Sequence, residues 1–368
     1  MRLLSECSAG ARETHQASLA SRAAFVLSIA VTCGLTLPAH AAESTLTFTE
    51  AQRIATDRSR QLVAQDASVA SAREMAIAAG QLPDPVLRFG VDNLPIEGSD
   101  RFSLNRDFMT MRRIGVMQEF TGTEKRRLRA TRMEREADRA VAEKSATLAG
   151  IQRDTAIAWL ETFYLERLRA AVVEQRQEVR LETQAAEGVY RGGRGSQADV
   201  LMAQTSRVML DDRLSELDRR IRNARTLLAR WVGADRAGAL LVNEPPLDSV
   251  PVHTLTEQLE QHPNIVVMSE EVAMAQADVQ LAQANKRSDW TWELAYQKRG
   301  SAFSDMVSIG VSVPLQWDQK SRQNRELGAK LALVEKARAQ RDEMLRQHVA
   351  EVQTMLNEWE NGRERLNR

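Results

Sequence analysis

Leu82-Pro-Asp-Pro85, running straight into Val86-Leu-Arg-Phe-Gly-Val-Asp92, is where this chain changes its period. Upstream, residues 47 to 80 read as one helix. Thr49 can cap it, and Ala67-Ser-Val-Ala-Ser-Ala-Arg-Glu-Met-Ala-Ile-Ala-Ala79 is rich in helix formers. The two prolines end it, because the residue before a proline is pushed out of the helical region. Downstream, Leu87, Phe89 and Val91 fall on one side and Arg88, Gly90 and Asp92 on the other. That alternation is a strand. Asn93 to Asp100 is turn-rich, and a second extended segment is expected over about 105–120, ending in Arg113-Ile-Gly-Val-Met-Gln-Glu-Phe120. Together they make a β-hairpin that closes at Thr121-Gly-Thr123.

Beyond the hairpin the helical period returns. No proline lies between Pro95 and Pro245, and none follows Pro314. A proline in a helix interior costs about 3 kcal/mol, so these stretches permit very long helices. Glu124 to Tyr190 reads as one helix, with Ile151, Ala158, Leu165, Val172 and Val179 recurring every seven residues. Arg191-Gly-Gly-Arg-Gly-Ser196 breaks it. A return helix opens at Ser196 or Gln197 and runs to about Val232. Its apolar positions Leu210, Leu214, Leu217, Ile221, Ala224, Leu228 and Trp231 alternate spacings of four and three. That is a heptad seam, which predicts left-handed antiparallel coiled-coil packing.

Residues 233 to 263 form a proline-bearing stretch, and then the pattern begins again. Ala70, Ala72, Ala79 and Asp84 correspond to Ala275, Ala277, Ala284 and Asp289 at an offset of 205. Trp290-Thr-Trp-Glu-Leu-Ala-Tyr296 alternates as a strand, and Lys298-Arg-Gly-Ser301 is a turn. Ile309-Gly-Val311 matches Ile114-Gly-Val116, and Lys320-Ser-Arg322 matches Lys125-Arg-Arg127, now at an offset of 195. A shorter second hairpin loop accounts for the difference. A long helix is expected from about Gln319 to Arg368. An internal repeat of this kind organises the whole chain. The first repeat spans 42–243, a connector 244–263, and a second repeat 264–368 that stops within its long helix.

Composition narrows the function. The 368 residues carry 50 Lys+Arg against 50 Asp+Glu, so no basic surplus argues for nucleic acid. A mean hydropathy of −0.40 argues against a bundle of membrane helices. Residues 23 to 42 carry no charge, Arg12 and Arg22 precede them, and Ala39-His-Ala41 has the small-x-small form of a cleavage site. Residues 1–41 are therefore expected to be a signal peptide, which would remove both Cys7 and Cys33. No Ser-His-Asp set, phosphate loop or paired-carboxylate motif occurs, so neither an enzyme nor a cofactor is expected.

A helix, an alternating hairpin, a very long helix, a tight turn and a return helix, started twice, resembles the TolC family of outer-membrane efflux ducts. The matching residues are Leu82-Pro-Asp-Pro85, Gly115-Val-Met-Gln-Glu-Phe120, Lys125-Arg-Arg127 and Tyr190-Arg-Gly-Gly-Arg-Gly-Ser-Gln-Ala-Asp-Val-Leu-Met-Ala203. Val91-Asp-Asn-Leu-Pro95 and Met109-Thr-Met-Arg-Arg113 look like its heavy-metal branch, the CzcC- and CusC-like proteins. The resemblance implies a mainly α fold with a small transmembrane β part. Long antiparallel helices would build an α-barrel, and two β-hairpins per chain would contribute to a trimeric barrel of 12 strands in outer-membrane lipid. It implies a passive exit for copper, silver, cobalt, zinc or cadmium ions, with a periplasmic adaptor and an inner-membrane resistance-nodulation-division pump as partners. It also implies that the tip Tyr190, Gly192, Gly193, Arg194, Gly195, Ser196, Asp199 and Leu201 docks the adaptor. The family's second hairpin returns in a helix that this sequence lacks, so its periplasmic gate is carried onto no position here. Two other readings compete: a drug or solute duct of the same family, and a periplasmic coiled-coil structural or adaptor protein with no membrane span.

Three further groups of side chains bear on a site. Lys125, Arg126, Arg127, Lys320 and Arg322 read either as a solvated helix face or as a headgroup-level basic girdle at the barrel base. Met109 and Met111 share a face of the expected second strand, and thioethers can bind Cu(I), although packing or lipid contact explains them with less. His253, His262 and His348 have no paired ligand spacing, so no zinc site is expected.

Overall fold

A computed structural model describes residues 45–244 and 258–368. The expected signal peptide and Pro245, Pro246 and Pro251 of the connector lie outside the described residues.

The first segment is two helices, not one. After a two-residue strand, β1 (Thr45–Leu46), come α1 (Phe48–Arg58) and α2 (Arg60–Ala79). Thr47, not Thr49, caps α1, its hydroxyl accepting from Glu50 N at 3.2 Å. The break falls at Ser59, which is extended at φ −67°, ψ 112°, and whose hydroxyl accepts from Leu62 N to cap α2. A serine competes for backbone hydrogen bonds and so suits a cap better than a helix interior.

Strands β2 (Val86–Asp92) and β3 (Met111–Phe120) form the first hairpin. β3 starts later than the 105 expected. The Asp107 carboxylate accepts from Met109 N and Thr110 N, at 2.8 and 3.1 Å, and the Thr110 hydroxyl donates to Asn93 O at 3.0 Å. That closed turn holds 107–110 out of the ladder, so Met109 lies in the loop and only Met111 lies in the strand. Helix α3 (Thr123–Arg191) has 69 residues, about 100 Å at 1.5 Å rise each. Helix α4 (Gln197–Val232) returns along it.

The expected heptads carry the packing. Leu165, Val172, Leu210, Leu214, Leu217 and Ala224 form one buried seam, with Val179 and Ile221 against it. A second core lies where Leu46, Ala51, Ala158, Trp159, Phe163, Leu228 and Val232 meet. A small lid closes this core, where the sequence reading has only a proline-bearing connector. The stretch after Gly233 holds a short helix, α5 (Ala234–Ala237), and a two-residue strand, β4 (Leu240–Leu241), which pairs in parallel with β1. Strands this short carry no period, so only the tertiary pairing defines them.

The second half repeats the layout. Helix α6 (Pro263–Ala284) is followed by β5 (Trp290–Lys298), β6 (Met306–Ser312) and α7 (Gln323–Leu366). α7 begins after the expected Gln319, because the Asp318 carboxylate accepts from Ser321 N and holds a turn there. All four longer strands join one antiparallel sheet in the order β2-β3-β5-β6.

Candidate functional site

The register of that sheet gives its two faces opposite chemistry. Direct partners across the ladder share a face. Leu87 pairs with Val116, Val116 with Leu294 and Leu294 with Ile309; Phe89 pairs with Ile114, Ile114 with Tyr296 and Tyr296 with Val307. These eight residues form an apolar band open to the surroundings. Phe89 is 73%, Val307 65% and Ile309 78% exposed. Arg112 and Lys298, partners in the ladder, bound the band at one end. Trp290, stacked on Phe120 with ring centroids 4.6 Å apart, bounds it at the other.

The opposite face is charged and small. Arg113 is paired with Glu293 and lies 3.6 Å from Asp92, and Arg88 lies 3.7 Å from Glu293. Gly90, Gly115, Ala295 and Gly310 stand among them. Gly115 has a packing reason, since a Cβ there would lie 3.0 Å from the Ala295 Cβ. A sheet apolar on one face and ion-paired on the other can stand between lipid and water.

At the base of this sheet the basic run divides. Lys125 is buried, so it fits neither the solvated helix face nor the headgroup-level girdle. Its ammonium donates to the Arg287 carbonyl and to Asp289 at 2.8 Å. Burial works against the charged form of Asp289, yet the Lys125 ammonium and the Gly122 N–H hold its carboxyl below the usual carboxylate range. Arg126 is half-buried, with its guanidinium near the Thr121 and Gly80 carbonyls. Arg127, Lys320 and Arg322 are exposed.

The tip is built by two hydrogen-bonded caps. Gly193 N donates to Tyr190 O and Arg194 N to Val189 O, at 3.0 and 3.1 Å, the paired closure of a left-handed helix end. Gly193 supplies that conformation at φ 72°. Gly195 passes so close that a Cβ would lie 3.1 Å from Tyr190 N. Ser196 and Asp199 then form a capping box for α4, and the Ser196 hydroxyl and N–H hold the Asp199 carboxyl below its usual range. Tyr190, Arg194 and Leu201 are exposed around this turn, as are Val189 and Met202. Gly193→Ala is expected to destabilise the turn by about 1–2 kcal/mol, the cost of a left-handed non-glycine residue. Gly192, at φ −78°, should accept alanine with far less effect. Hydrogen exchange of the Gly193 and Arg194 amides would separate the two variants.

Two histidines that looked unrelated in sequence meet. His348 Nε2 lies 3.1 Å from His262 Nδ1, and His348 Nδ1 lies 3.0 Å from Glu351. Burial, then His348 and Arg153, lowers the His262 pKa, in keeping with its role accepting from Asn264 N to cap α6. Among the described residues no group of three or more His, Cys, Asp or Glu side chains is placed to hold a metal ion.

No family model matches this sequence, and no curated protein matches it. Solved structures do. The outer-membrane protein VceC from Vibrio cholerae is similar at a TM-score of 0.69 and 22% identity, over 87% of this chain and 80% of that one. The outer-membrane channel OprN is similar at 0.69 and 16% identity, over 87% and 75%. CusC is similar at 0.65 and 11% identity, over 86% and 78%. This chain therefore has the fold of outer-membrane channel proteins: long antiparallel helices carrying a small sheet.

Proposed function

We propose that this chain is one protomer of a passive outer-membrane efflux duct, assembled as a homotrimer. The observation that carries it is the two-faced sheet. A soluble coiled-coil protein has no use for eight apolar side chains aligned across four strands and open on one face. In lipid the same band is a barrel exterior. One chain leaves β2 and β6 as open edges, which lipid does not tolerate, and three chains of four strands each close a ring of 12. The similarity in fold to VceC, OprN and CusC supports the same reading.

The helices would extend the tube into the periplasm and place the turn at Tyr190–Leu201 about 100 Å from the sheet, where it would dock a periplasmic adaptor. The duct performs no chemistry of its own, so an inner-membrane resistance-nodulation-division pump would drive flux. The cargo we propose is heavy-metal cations, on the strings Val91–Pro95 and Met109–Arg113. Fractionation of the gene product tests the duct, which should be recovered as a trimer in the outer membrane. A soluble periplasmic monomer would sink it. Deleting the gene should sensitise cells to one group of metals. Unchanged metal tolerance with new drug sensitivity would reject the metal cargo and leave the duct.

A further inference from the structure

The internal repeat says which residues join one copy of this chain to the next. Within the chain, the end of the first hairpin meets the start of the second. Lys125, just after β3, holds Asp289, just before β5, at 2.8 Å, and Gly122 N donates to the same carboxylate at 3.0 Å. The pairing sets Gly115 opposite Ala295. The repeat offsets carry this junction onto the two ends of the sheet. Lys125 corresponds to Lys320 and Gly115 to Gly310, at an offset of 195; Asp289 corresponds to Asp84 and Ala295 to Gly90, at 205. Within one chain these counterparts lie on or beside the two outer strands, β2 and β6, whose outer edges are unpaired. Asp84 and Lys320 are exposed, and neither makes an ion pair among the described residues. A Cβ on Gly90 or Gly310 would meet nothing within 4 Å.

We infer that β6 of one copy pairs antiparallel with β2 of a second copy in a register that sets Gly310 opposite Gly90, and that Lys320 of the first copy binds Asp84 of the second. This rests on the trimeric-duct reading and gives it residues. The register has support of its own, beside the ion pair. It sets Ile309 opposite Val91 and Val311 opposite Phe89, so the apolar band continues across the joint. A slip of one residue would turn one band against the other copy's charged face. It also sets Ser308 opposite Asp92 and Ser312 opposite Arg88, continuing the polar face. Direction agrees as well, because four antiparallel strands leave β6 and the next β2 running oppositely. Finally, Arg322 N donates to Asp318 O at 3.2 Å, so a helical turn already stands at Lys320, as α3 stands at Lys125.

The test uses the full chain with Cys7→Ser and Cys33→Ser, so that introduced cysteines react alone. Direct partners bring Cβ atoms to about 4.5–5.5 Å, and diagonal ones stay about 7–8 Å apart. Oxidised membranes holding Ser312→Cys with Arg88→Cys should therefore give disulfide-linked trimers. Ser312→Cys with Gly90→Cys, displaced by two residues, should link far more slowly. Lys320→Asp should shorten the lifetime of the detergent-solubilised trimer by roughly tenfold or more, since it sets carboxylate against carboxylate. Adding Asp84→Lys should restore it. If the unmodified chain is a trimer but the displaced pair links faster, or the charge swap rescues nothing, the register and ion pair are overturned and the duct stands. If the unmodified chain is a monomer in the membrane, the trimeric reading falls and this inference with it.

Discussion

Trp159→Ala is expected to cost about 3–5 kcal/mol, the range for truncating a buried aromatic. Trp159 is fully buried at the middle of α3. Its ring stacks on Phe163 with centroids 4.8 Å apart and meets Phe48 edge-on at 5.7 Å. Its indole N–H donates to the Leu46 carbonyl at 3.2 Å. That bond matters because Leu46 sits in β1, one half of a two-residue parallel ladder too short to stand by itself. Removing the ring opens a cavity among Leu46, Leu228 and Val232 and frees β1 and β4 together. Domain stabilities are only about 5–15 kcal/mol, so the loss is a large share. Urea unfolding followed by far-UV circular dichroism measures the total. Trp159→Phe separates the contributions: it keeps most of the packing, loses the indole donor and should cost far less. If Trp159→Ala unfolds at the urea midpoint of the natural chain, the β1–β4 corner is not held by this residue.

What could be read in the sequence and what could not divide along a physical line. Features with a local period were legible. The alternation of Leu87, Phe89 and Val91 marked β2 to within its observed ends, and the heptad of Leu210, Leu214 and Leu217 marked a seam that is buried. So were features set by a single residue's backbone needs, such as the glycine turn at Gly193 and the helix start next to it at Ser196 or Gln197. Distant pairing was not. Nothing local distinguishes Lys125 from Arg126 and Arg127, yet it is buried because Asp289 waits beside it. His262 and His348 lie on different elements and follow no ligand spacing, so their contact needed the fold. The break at Ser59 hid in a helix-forming run, because a serine that caps looks like a serine that is merely tolerated. In the site itself, the apolar face was visible strand by strand. The charged face became a network only when the register brought Arg113 of β3 against Glu293 of β5.

That same pair of hairpins makes the second large effect. Lys125→Met is expected to cost about 3 kcal/mol, at the lower end for breaking a buried ion pair, because Asp289 keeps some contact with water. The loss would come mainly from the orphaned carboxylate. Replacing both partners, as Lys125→Met with Asp289→Leu, should therefore recover part of it, and the double variant should be more stable than Lys125→Met alone. A double variant that loses the sum of the two single effects would mean the two residues act independently. Acid supplies a second reading of the same pair. The Asp289 carboxyl titrates below its unfolded value, so it contributes stability that is fully present above about pH 3.9, the ordinary aspartate value, and is lost as pH falls through the folded value. Asp289→Asn has no such charge to lose. The gap in urea midpoint between the natural chain and Asp289→Asn should stay constant near neutral pH and narrow below about pH 3.9. A gap that persists unchanged into acid would show that the asparagine is costly for its shape and not for the missing ion pair.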